Sequence, residues 1–335
     1  VETLATRNDL EVGDIDLIVP HQANDRILEA ADNASRSILI GASATSAPGA
    51  TRAPPPFPSH SQRPSQTDVW RAVIGLRSSP SKSKLETAMA TLFQDLVPST
   101  AAGAAACRAL AHAGLGRVTR NQDMYASRAL PRSLRTALAA RCLRWPLAWG
   151  LDFWLPGLVV LHNTRTLLID RILEDLGGRS TPSRLIVLGP GYDSRCARFR
   201  GWFDAFIDVI HPRDVHARRE FLAALTGVNP ERVELDLDHG SGALEPTIET
   251  GDVLLLEGVT MYLERDGLEG LMRLIKLRSN THIIFDYFSR PFVETPSRVE
   301  GGPEHHRAAE QRGEPYRTGY SEADLSELVE RFGLK

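Results

Sequence analysis

The chain has 335 residues but few of the kinds that build disulfide-stapled or metal-bound proteins. Its three cysteines, Cys107, Cys142 and Cys196, are too few and too scattered for a disulfide framework or a structural zinc site. That scarcity favours a reducing compartment, and we expect a cytoplasmic protein. Only four of the 39 basic residues are lysine, a bias that we attribute to coding composition rather than to function.

An excess of charge of one sign is also missing, as is a long hydrophobic run. The net charge is −3, so no basic field favours nucleic acid or an anionic membrane as a partner. The longest apolar run, 145–161, contains Asp152 and two prolines and is shorter than the ~20 residues of a membrane span. We therefore expect a buried or amphipathic helix there. No basic-then-apolar signal segment opens the sequence.

What is present is a globular composition, with 42% hydrophobic and 24% charged residues, interrupted by one abrupt shift. Residues 43–67 contain six prolines, many Ser and Thr, and almost no large apolar side chain. Such a stretch cannot bury enough surface to offset its ordering entropy. We predict a short N-terminal piece at 1–42, a disordered linker at 43–84 and a large domain at 85–335.

The large domain changes character near residue 180. Before that point the Ala- and Leu-rich pattern predicts helices, and after it short apolar runs alternate with helical patterns. This alternation predicts a doubly wound, mostly parallel α/β sheet at 181–335, preceded by a helical segment at 85–180. The predicted helices are 85–96, 101–113, 134–143, 165–176, 215–225, 266–277 and 322–332. The predicted strands are 184–188, 205–210, 232–235, 253–256 and 282–285.

The turn after the first of these strands is rich in glycine. The sequence L-I-V-L-G-P-G-Y-D-S-R places Gly189 and Gly191 directly after the buried strand at 184–188. Glycine permits a tight turn and the close approach of a ligand, but an ordinary strand-to-helix turn also favours it. The dinucleotide fingerprint fails because Ser194 stands at its third glycine position, and no G-x-x-x-x-G-K-[ST] occurs.

Several motifs in order resemble one family. They are L-G-P-G-Y-D-S-R at 188–195, R-T-L-L-I-D at 165–170, L-L-E-G-V at 255–259, M-Y-L at 261–263, the Asp236-Leu237 pair, I-I-F-D-Y-F at 283–288, G-E-P-Y at 313–316 and D-M-Y-A at 123–126. Together they resemble the leucine carboxyl methyltransferase family, whose members are class I methyltransferases dependent on S-adenosylmethionine. The resemblance spans about three-quarters of the chain.

This resemblance implies S-adenosylmethionine as cofactor and assigns roles to matching positions. Arg165 would bind the cofactor's carboxylate, which suits the planar fork of a guanidinium. Glu257, at the end of a strand, would lie near the cofactor's amino group. The other implied cofactor-binding residues are Gly189 and Gly191 at the methionine moiety, Asp236 and Leu237 at the adenine, and Arg108 as a second basic residue.

One position departs from the family pattern. The family places an acid after its second strand to bond the two ribose hydroxyls, whereas this chain has Ile210 there. Loss of a charged hydrogen-bond partner costs about 1.5–3 kcal/mol, or roughly ten- to a hundredfold in affinity. Asp208, predicted to lie on the same strand face, is our candidate substitute, and Asp214 is a second candidate.

The family chemistry makes few demands on the protein. A carboxylate acceptor, on a small molecule or a protein C-terminal leucine, needs no base, and alignment supplies most of the acceleration. A hydroxyl acceptor would need one, with Tyr262, His211 and Glu257 as candidates, so the catalytic residue stays unassigned. We expect the helical segment and residues 289–320 to cover the acceptor. The histidines at 305–306 and the group His211, Asp214 and His216 lack a convincing metal-ligand set, so we predict no metal.

The N-terminal piece resembles a different family. The run D-I-D-L-I-V-P-H-Q-A-N at 14–24 resembles a late segment of type III ketoacyl-carrier-protein synthases, in which P-H-Q-A-N carries a catalytic histidine, here His21. The partner cysteine and asparagine of that family are missing, so we expect an inactive remnant.

Two features leave a non-enzymatic alternative, a degenerate methyltransferase fold that binds a partner. These are Ile210 and the end of the sequence at Lys335, soon after the predicted helix 322–332, where the class normally adds two more strands. The opening Val1 and those two strands lead us to expect a chain that is incomplete at both ends.

Overall fold

The computed structural model describes eight stretches of the chain. The chain divides into two compact units, residues 1–27 with 97–335 and residues 28–96, and all the described residues belong to the first. The predicted linker at 43–84, the predicted helix at 85–96 and His21 lie outside the described residues. The described stretches are 18–20, 99–115, 120–140, 158–177, 184–225, 227–237, 240–299 and 302–334.

Parallel strands form the centre of this unit. They are β1 (Ile18–Pro20), β2 (Arg184–Leu188), β3 (Ala205–Ile210), β4 (Glu231–Glu234), β5 (Val253–Leu256) and β6 (His282–Tyr287). Their order across the sheet is β1-β6-β5-β2-β3-β4, and every neighbouring pair is parallel. The chain therefore moves outward in one direction from β2 to β4 and in the other from β5 to β6. This creates a switch point between β2 and β5, where ligands of open α/β sheets bind.

Helices cover the sheet and precede it. The α-helices are α1 (Thr100–His112), α2 (Arg132–Ala139), α3 (Leu158–Gly177), α4 (Arg195–Arg198), α5 (Val215–Ala223), α6 (Arg265–Lys276), α7 (Arg290–Glu294), α8 (Gly302–Gln311) and α9 (Glu322–Phe332). Short 3₁₀ turns lie at Ala126–Ala129, Pro212–Asp214, Ser241–Leu244, Thr260–Tyr262 and Pro296–Arg298.

The central strands are buried on both faces. Alternate residues of β2 and β5 enter two different cores, because side chains of a strand point to opposite faces in turn. Ile186 and Leu254 pack on one face with α6 and α9, and Leu185 and Val253 pack on the other with α3. Helices on both faces of a parallel sheet make a doubly wound α/β fold, so the predicted fold class is confirmed.

Most predicted elements are confirmed to within two residues. The strands 184–188, 205–210 and 253–256 and the helix 322–332 have the predicted bounds. The helix predicted at 165–176 is wrong at its start, since α3 begins at Leu158 inside the apolar run. Among the described residues no helix is long and apolar enough to cross a membrane.

The sheet continues past β6 through a segment far away in the sequence. Ile18–Pro20 pairs in parallel with Phe285–Tyr287, so the predicted N-terminal piece contributes a strand to this sheet. No strand follows β6 in the chain within the described residues 288–299 and 302–334.

Candidate functional site

The glycine turn lies at the carboxyl end of β2, at the switch point. Gly189 and Gly191 have φ of +63° and +45°, a backbone region that residues with a Cβ adopt only under strain. A Cβ on Gly189 would come within 2.8 Å of Val259 Cγ2. A Cβ on Gly191 would lie 3.1 Å from Cβ of Ala101, in the first turn of α1. Both glycines are therefore required by the backbone, and α1 packs directly against the turn.

Arg165 is brought to the same place by α3. Its Nε donates to Oε1 of Glu257 at 2.8 Å, and one terminal nitrogen donates to Oδ2 of Asp286 at 2.8 Å. Glu257 follows β5 and Asp286 lies in β6, and both point to the α3 face because they alternate with Leu256 and Phe285 of the opposite core. The structure thus joins the predicted pair Arg165 and Glu257 and adds Asp286.

The two carboxylates on Arg165 differ in electrostatics. Burial alone would raise the pKa of Glu257, but the guanidinium groups of Arg195 and Arg165 hold that pKa well below its usual value. Burial raises the pKa of Asp286 above its usual value, even though Arg165 and the backbone N–H of Gly258 oppose the shift. Of the two carboxylates, Glu257 is therefore the one whose negative charge the surroundings favour more strongly.

A second buried arginine also reaches Glu257. Arg195, in α4, donates from Nε to Oδ1 of Asp170 at 2.8 Å. One of its terminal nitrogens donates to Oε2 of Glu257 at 2.5 Å and to Oδ2 of Asp193 at 2.5 Å. Both oxygens of Glu257 thus accept from arginine, one from each side. A carboxylate oxygen has two lone pairs, so each retains capacity for one more donor.

Arg108, the predicted second basic residue, lies beside the glycine turn. It projects from α1, donates from Nε to Oδ2 of Asp123 at 2.9 Å, and donates from a terminal nitrogen to the Tyr192 carbonyl at 2.8 Å. Asp123 in turn accepts from the Ser194 hydroxyl at 2.6 Å. Arg108 therefore fastens the helical segment to the turn.

Asp208, the predicted substitute for the ribose-binding acid, is occupied by an arginine. It is buried in β3, and its two oxygens accept from Arg218 of α5 at 2.7 and 3.1 Å. Ile210 is buried at the end of the same strand. Asp214 is exposed and lies 3.7 Å from Arg213. This arrangement does not support a ribose contact from Asp208.

Asp236 and Leu237, predicted at the adenine, lie just beyond β4. Leu237 is half-buried against the main core. Asp236 is half-buried, and one of its oxygens lies 3.5 Å from Nε2 of His211. Nδ1 of that imidazole accepts from the backbone N–H of Arg213 at 3.2 Å, which leaves the proton on Nε2. Asp236, in the segment that follows β4, therefore places a carboxylate next to the end of β3.

An aromatic cluster adjoins the loop after β5. The Phe288 ring lies 4.6 Å from Phe292 and 4.7 Å from Tyr316 between centroids, and Tyr316 lies 5.7 Å from Tyr262 and 5.0 Å from His306. Burial raises the pKa of Tyr262, so its phenol keeps its proton and is neutral. The segment predicted to cover the acceptor, 289–320, thus packs against Tyr262.

The front helical segment contacts that segment as well. The hydroxyl of Thr100, the first residue of α1, donates to the carboxylate of Glu314. Within the part of the chain that the structure describes, no group of three or more His, Cys, Asp or Glu side chains is placed to hold a metal ion.

Some residues of this site were not assigned a role from the sequence. Arg195 and Asp170 stand inside quoted motifs, and Asp286 stands in the strand motif, but no spacing reveals which charges meet. Alternation along β6 was the available signal, because a charged residue on a buried face needs a partner.

Solved structures with a similar fold include methyltransferases. The mitomycin 7-O-methyltransferase MmcR is 17% identical over 64% of this chain and 70% of that chain, with a TM-score of 0.34. An O-methyltransferase family protein from Burkholderia thailandensis is 15% identical over 66% of this chain and 70% of its own, with a TM-score of 0.36. LepI in complex with SAM is 15% identical over 57% of this chain, with a TM-score of 0.33, and the match spans 52% of LepI.

No protein-family model matches the chain, and no curated protein sequence matches it.

Proposed function

We propose that this chain is an S-adenosylmethionine-dependent O-methyltransferase. The observation that carries the proposal is the Arg165–Glu257 pair, which lies at the switch point near the two glycines of positive φ. A Cβ on Gly258, between these elements, would lie 3.5 Å from a terminal nitrogen of Arg165. Gly258 thus lies directly against the guanidinium of Arg165.

The pair matches an amino-acid zwitterion. A guanidinium binds a carboxylate bidentately, and a charged carboxylate accepts from an ammonium group. Arg165 supplies the first and Glu257 the second, and the low pKa of Glu257 keeps it ionised. The methionine end of S-adenosylmethionine carries both groups, so the charges of the pair match that end of the cofactor. Arg165 also donates to Glu257 and Asp286, so a ligand carboxylate would share its guanidinium with them.

The ribose end fits less completely. Ile210 offers no acceptor, and Asp208 is bound by Arg218. Asp236, held near His211, is the acid that we assign to the adenosine end.

When bound, the cofactor supplies a methyl group on a sulfonium for transfer to an oxygen nucleophile. The residues beside the site offer little general-base capacity. Tyr262 stays protonated, and Glu257 is held ionised between two arginines, so it is a poor proton acceptor. We therefore propose a carboxylate acceptor, which needs no base. A small-molecule acid or a protein C-terminal leucine, as in the leucine carboxyl methyltransferase family, is the acceptor class that we favour.

Calorimetric titration tests the cofactor proposal. We expect binding of S-adenosylmethionine and S-adenosylhomocysteine but not of NAD. Arg165→Ala should abolish it, whereas Arg184→Ala, which breaks a bidentate pair with Asp252 at the opposite end of β2, should destabilise the fold without removing binding. If the intact chain binds neither S-adenosylmethionine nor S-adenosylhomocysteine at millimolar concentration, the proposal fails. A catalytically inactive binding protein then becomes the better hypothesis.

A further inference from the structure

Arg195 is the second cation on Glu257. Its side chain is 2% exposed, and it links three carboxylates on three elements: Asp170 of α3, Asp193 of the glycine turn, and Glu257 after β5. Glu257 thereby receives Arg165 on Oε1 and Arg195 on Oε2. Two fixed donors on opposite oxygens prevent the carboxylate from rotating, because each rotamer change would break a charged hydrogen bond.

One donor nitrogen of Arg195 is not accounted for by the contacts among the described residues. The terminal nitrogen Nη2 is buried, and no hydrogen-bond partner lies near it among the described residues. A buried unsatisfied donor costs about 1–3 kcal/mol, so such an atom needs an explanation. It belongs to the same planar group that contacts Glu257.

Arg198 is a matched comparison that shows what a purely structural arginine does at this position of the fold. Arg198 lies one turn further along, has a side chain that is 8% exposed, and binds the same Asp170 at 2.5 and 3.2 Å. Its remaining hydrogen bond in the described structure goes to the Ser194 hydroxyl. Both arginines thus tie α4 to α3, but within the described structure Arg195 is the one of the two that hydrogen-bonds Glu257.

We propose that Arg195 is a positioning residue that fixes Glu257 in the orientation that receives the ligand's ammonium group. This inference rests on the proposed function, because it assigns Glu257 to the amino group of an amino-acid ligand. The contact with Asp170 holds Arg195 against α3, and the contact with Glu257 transmits that position to the site.

Two ligands separate positioning from general stability. S-adenosylhomocysteine carries the amino-acid group, whereas 5′-methylthioadenosine lacks it. For Arg195→Gln we expect about ten- to a hundredfold weaker binding of S-adenosylhomocysteine, the range for a lost charged hydrogen bond, with 5′-methylthioadenosine changed by less than about threefold. For Arg198→Gln we expect both affinities to change by less than about threefold. Equal effects of the two variants on the two ligands would overturn the proposal.

The pH profile gives an independent readout. Removing Arg195 takes away the largest of the influences that lower the pKa of Glu257, so that pKa rises towards its value in a buried, less compensated site. The binding of S-adenosylhomocysteine by Arg195→Gln should then weaken as pH falls from about 7 to 5, while the intact chain and Arg198→Gln keep a flat profile. A flat profile for all three proteins contradicts the inference. Four other charged or titratable side chains of the described structure interact electrostatically with Glu257. They are Arg165 and His162 of α3, Arg108 of α1 and Asp286 of β6.

His162 does not confuse this profile, because burial and the nearby Arg165 hold its pKa well below the usual value and it stays neutral. Arg195→Lys is the variant to use if the glutamine variant does not fold. A lysine keeps the charge but presents no rigid fork, so we expect intermediate affinity and a profile close to that of the intact chain.

A measurement on the unaltered protein does not depend on any variant folding. The ¹⁵N signals of the Arg195 guanidinium should shift with S-adenosylhomocysteine and stay in place with 5′-methylthioadenosine. Unshifted signals in a protein that binds S-adenosylhomocysteine would contradict the role of Arg195 alone. A protein that binds neither ligand would contradict the proposed function.

Discussion

Arg218 of α5 closes on Asp208 of β3 through two hydrogen bonds, from Nε to Oδ2 at 2.7 Å and from a terminal nitrogen to Oδ1 at 3.1 Å. The same arginine donates to the Asp193 carbonyl in the glycine turn at 2.6 Å. Asp208 thus helps to hold the turn through Arg218. The acid closest in sequence to the missing ribose acceptor has a structural role.

We predict that Asp208→Asn lowers stability and leaves ligand affinity nearly unchanged. The amide removes one charge from a buried ion pair, and a hydrogen bond to a charged partner contributes about 1.5–3 kcal/mol. Urea denaturation should show a loss in that range. The affinity for S-adenosylhomocysteine should change by less than about threefold. Unchanged stability together with tenfold weaker binding would return Asp208 to the ribose role.

We predict that Gly189→Ala destabilises the chain more than Gly333→Ala, a substitution with the same cost in backbone strain. Gly189 and Gly333 have φ of +63° and +62°, so alanine at either position costs about 1–2 kcal/mol in backbone strain. A Cβ at Gly333 meets no heavy atom within 4 Å, whereas one at Gly189 meets Val259 at 2.8 Å. The difference between the two variants in unfolding free energy isolates the clash.

Val259→Ala supplies the rescue for that experiment. It removes the methyl group that the new Cβ would meet, so the Gly189→Ala/Val259→Ala double variant should recover part of the loss relative to the sum of the single variants. Strict additivity of the two substitutions would show that the close contact is not the cause.

The sheet was predictable because its strands are short apolar runs bounded by turn residues. β2 and β5 are buried on both faces, and both were found with the right bounds. β4 was shifted by one residue, since this edge strand has the sequence E-R-V-E and is half-exposed. The predicted start of α3 is too late, because Leu158 to Leu161 look like the end of an apolar run and not like the start of a helix.

The site was predictable only in part, for a different reason. The resemblance pointed to Arg165 and Glu257, which meet across 92 residues of sequence. The contacts of Arg165 with Asp286 and of Arg195 with Glu257 span 121 and 62 residues, and no local pattern encodes such pairings. They depend on which charged side chains the sheet order brings to one face.

We predict that the cap of α9 contributes to stability in a pH-dependent way. Ser321 accepts from the Asp324 backbone N–H at 3.2 Å, and Asp324 accepts from the Ser321 backbone N–H at 2.7 Å. Burial is the largest single influence and raises the pKa of Asp324, but the bonds from Ser321 together with the nearby Arg265 and Arg290 outweigh it and lower that pKa to about 2. Because this pKa is depressed, the contribution is present above the unfolded pKa of ~3.9 and is lost as pH falls through about 2.

Ser321→Ala should therefore cost about 1 kcal/mol at pH 7, the usual value for a lost cap. Ser326→Ala, in the exposed part of the same helix, should stay within about 0.5 kcal/mol. Asp324→Asn should lower stability at pH 7, and its difference from the intact chain should narrow as the pH approaches 2 in denaturation series. A difference that is constant with pH would show that the carboxylate charge is irrelevant to the cap.

We predict that Asp236 serves the adenosine end of the ligand and Asp214 does not. Asp236 follows β4 and is held near His211, whereas Asp214 is exposed beside Arg213. Asp236→Asn should weaken S-adenosylhomocysteine and 5′-methylthioadenosine by the same factor, about tenfold, because both ligands contain adenosine. Asp214→Asn should leave both unchanged. A loss confined to S-adenosylhomocysteine would place Asp236 at the amino-acid end, and a loss from Asp214→Asn alone would make Asp214 the substitute for the acid that Ile210 replaces.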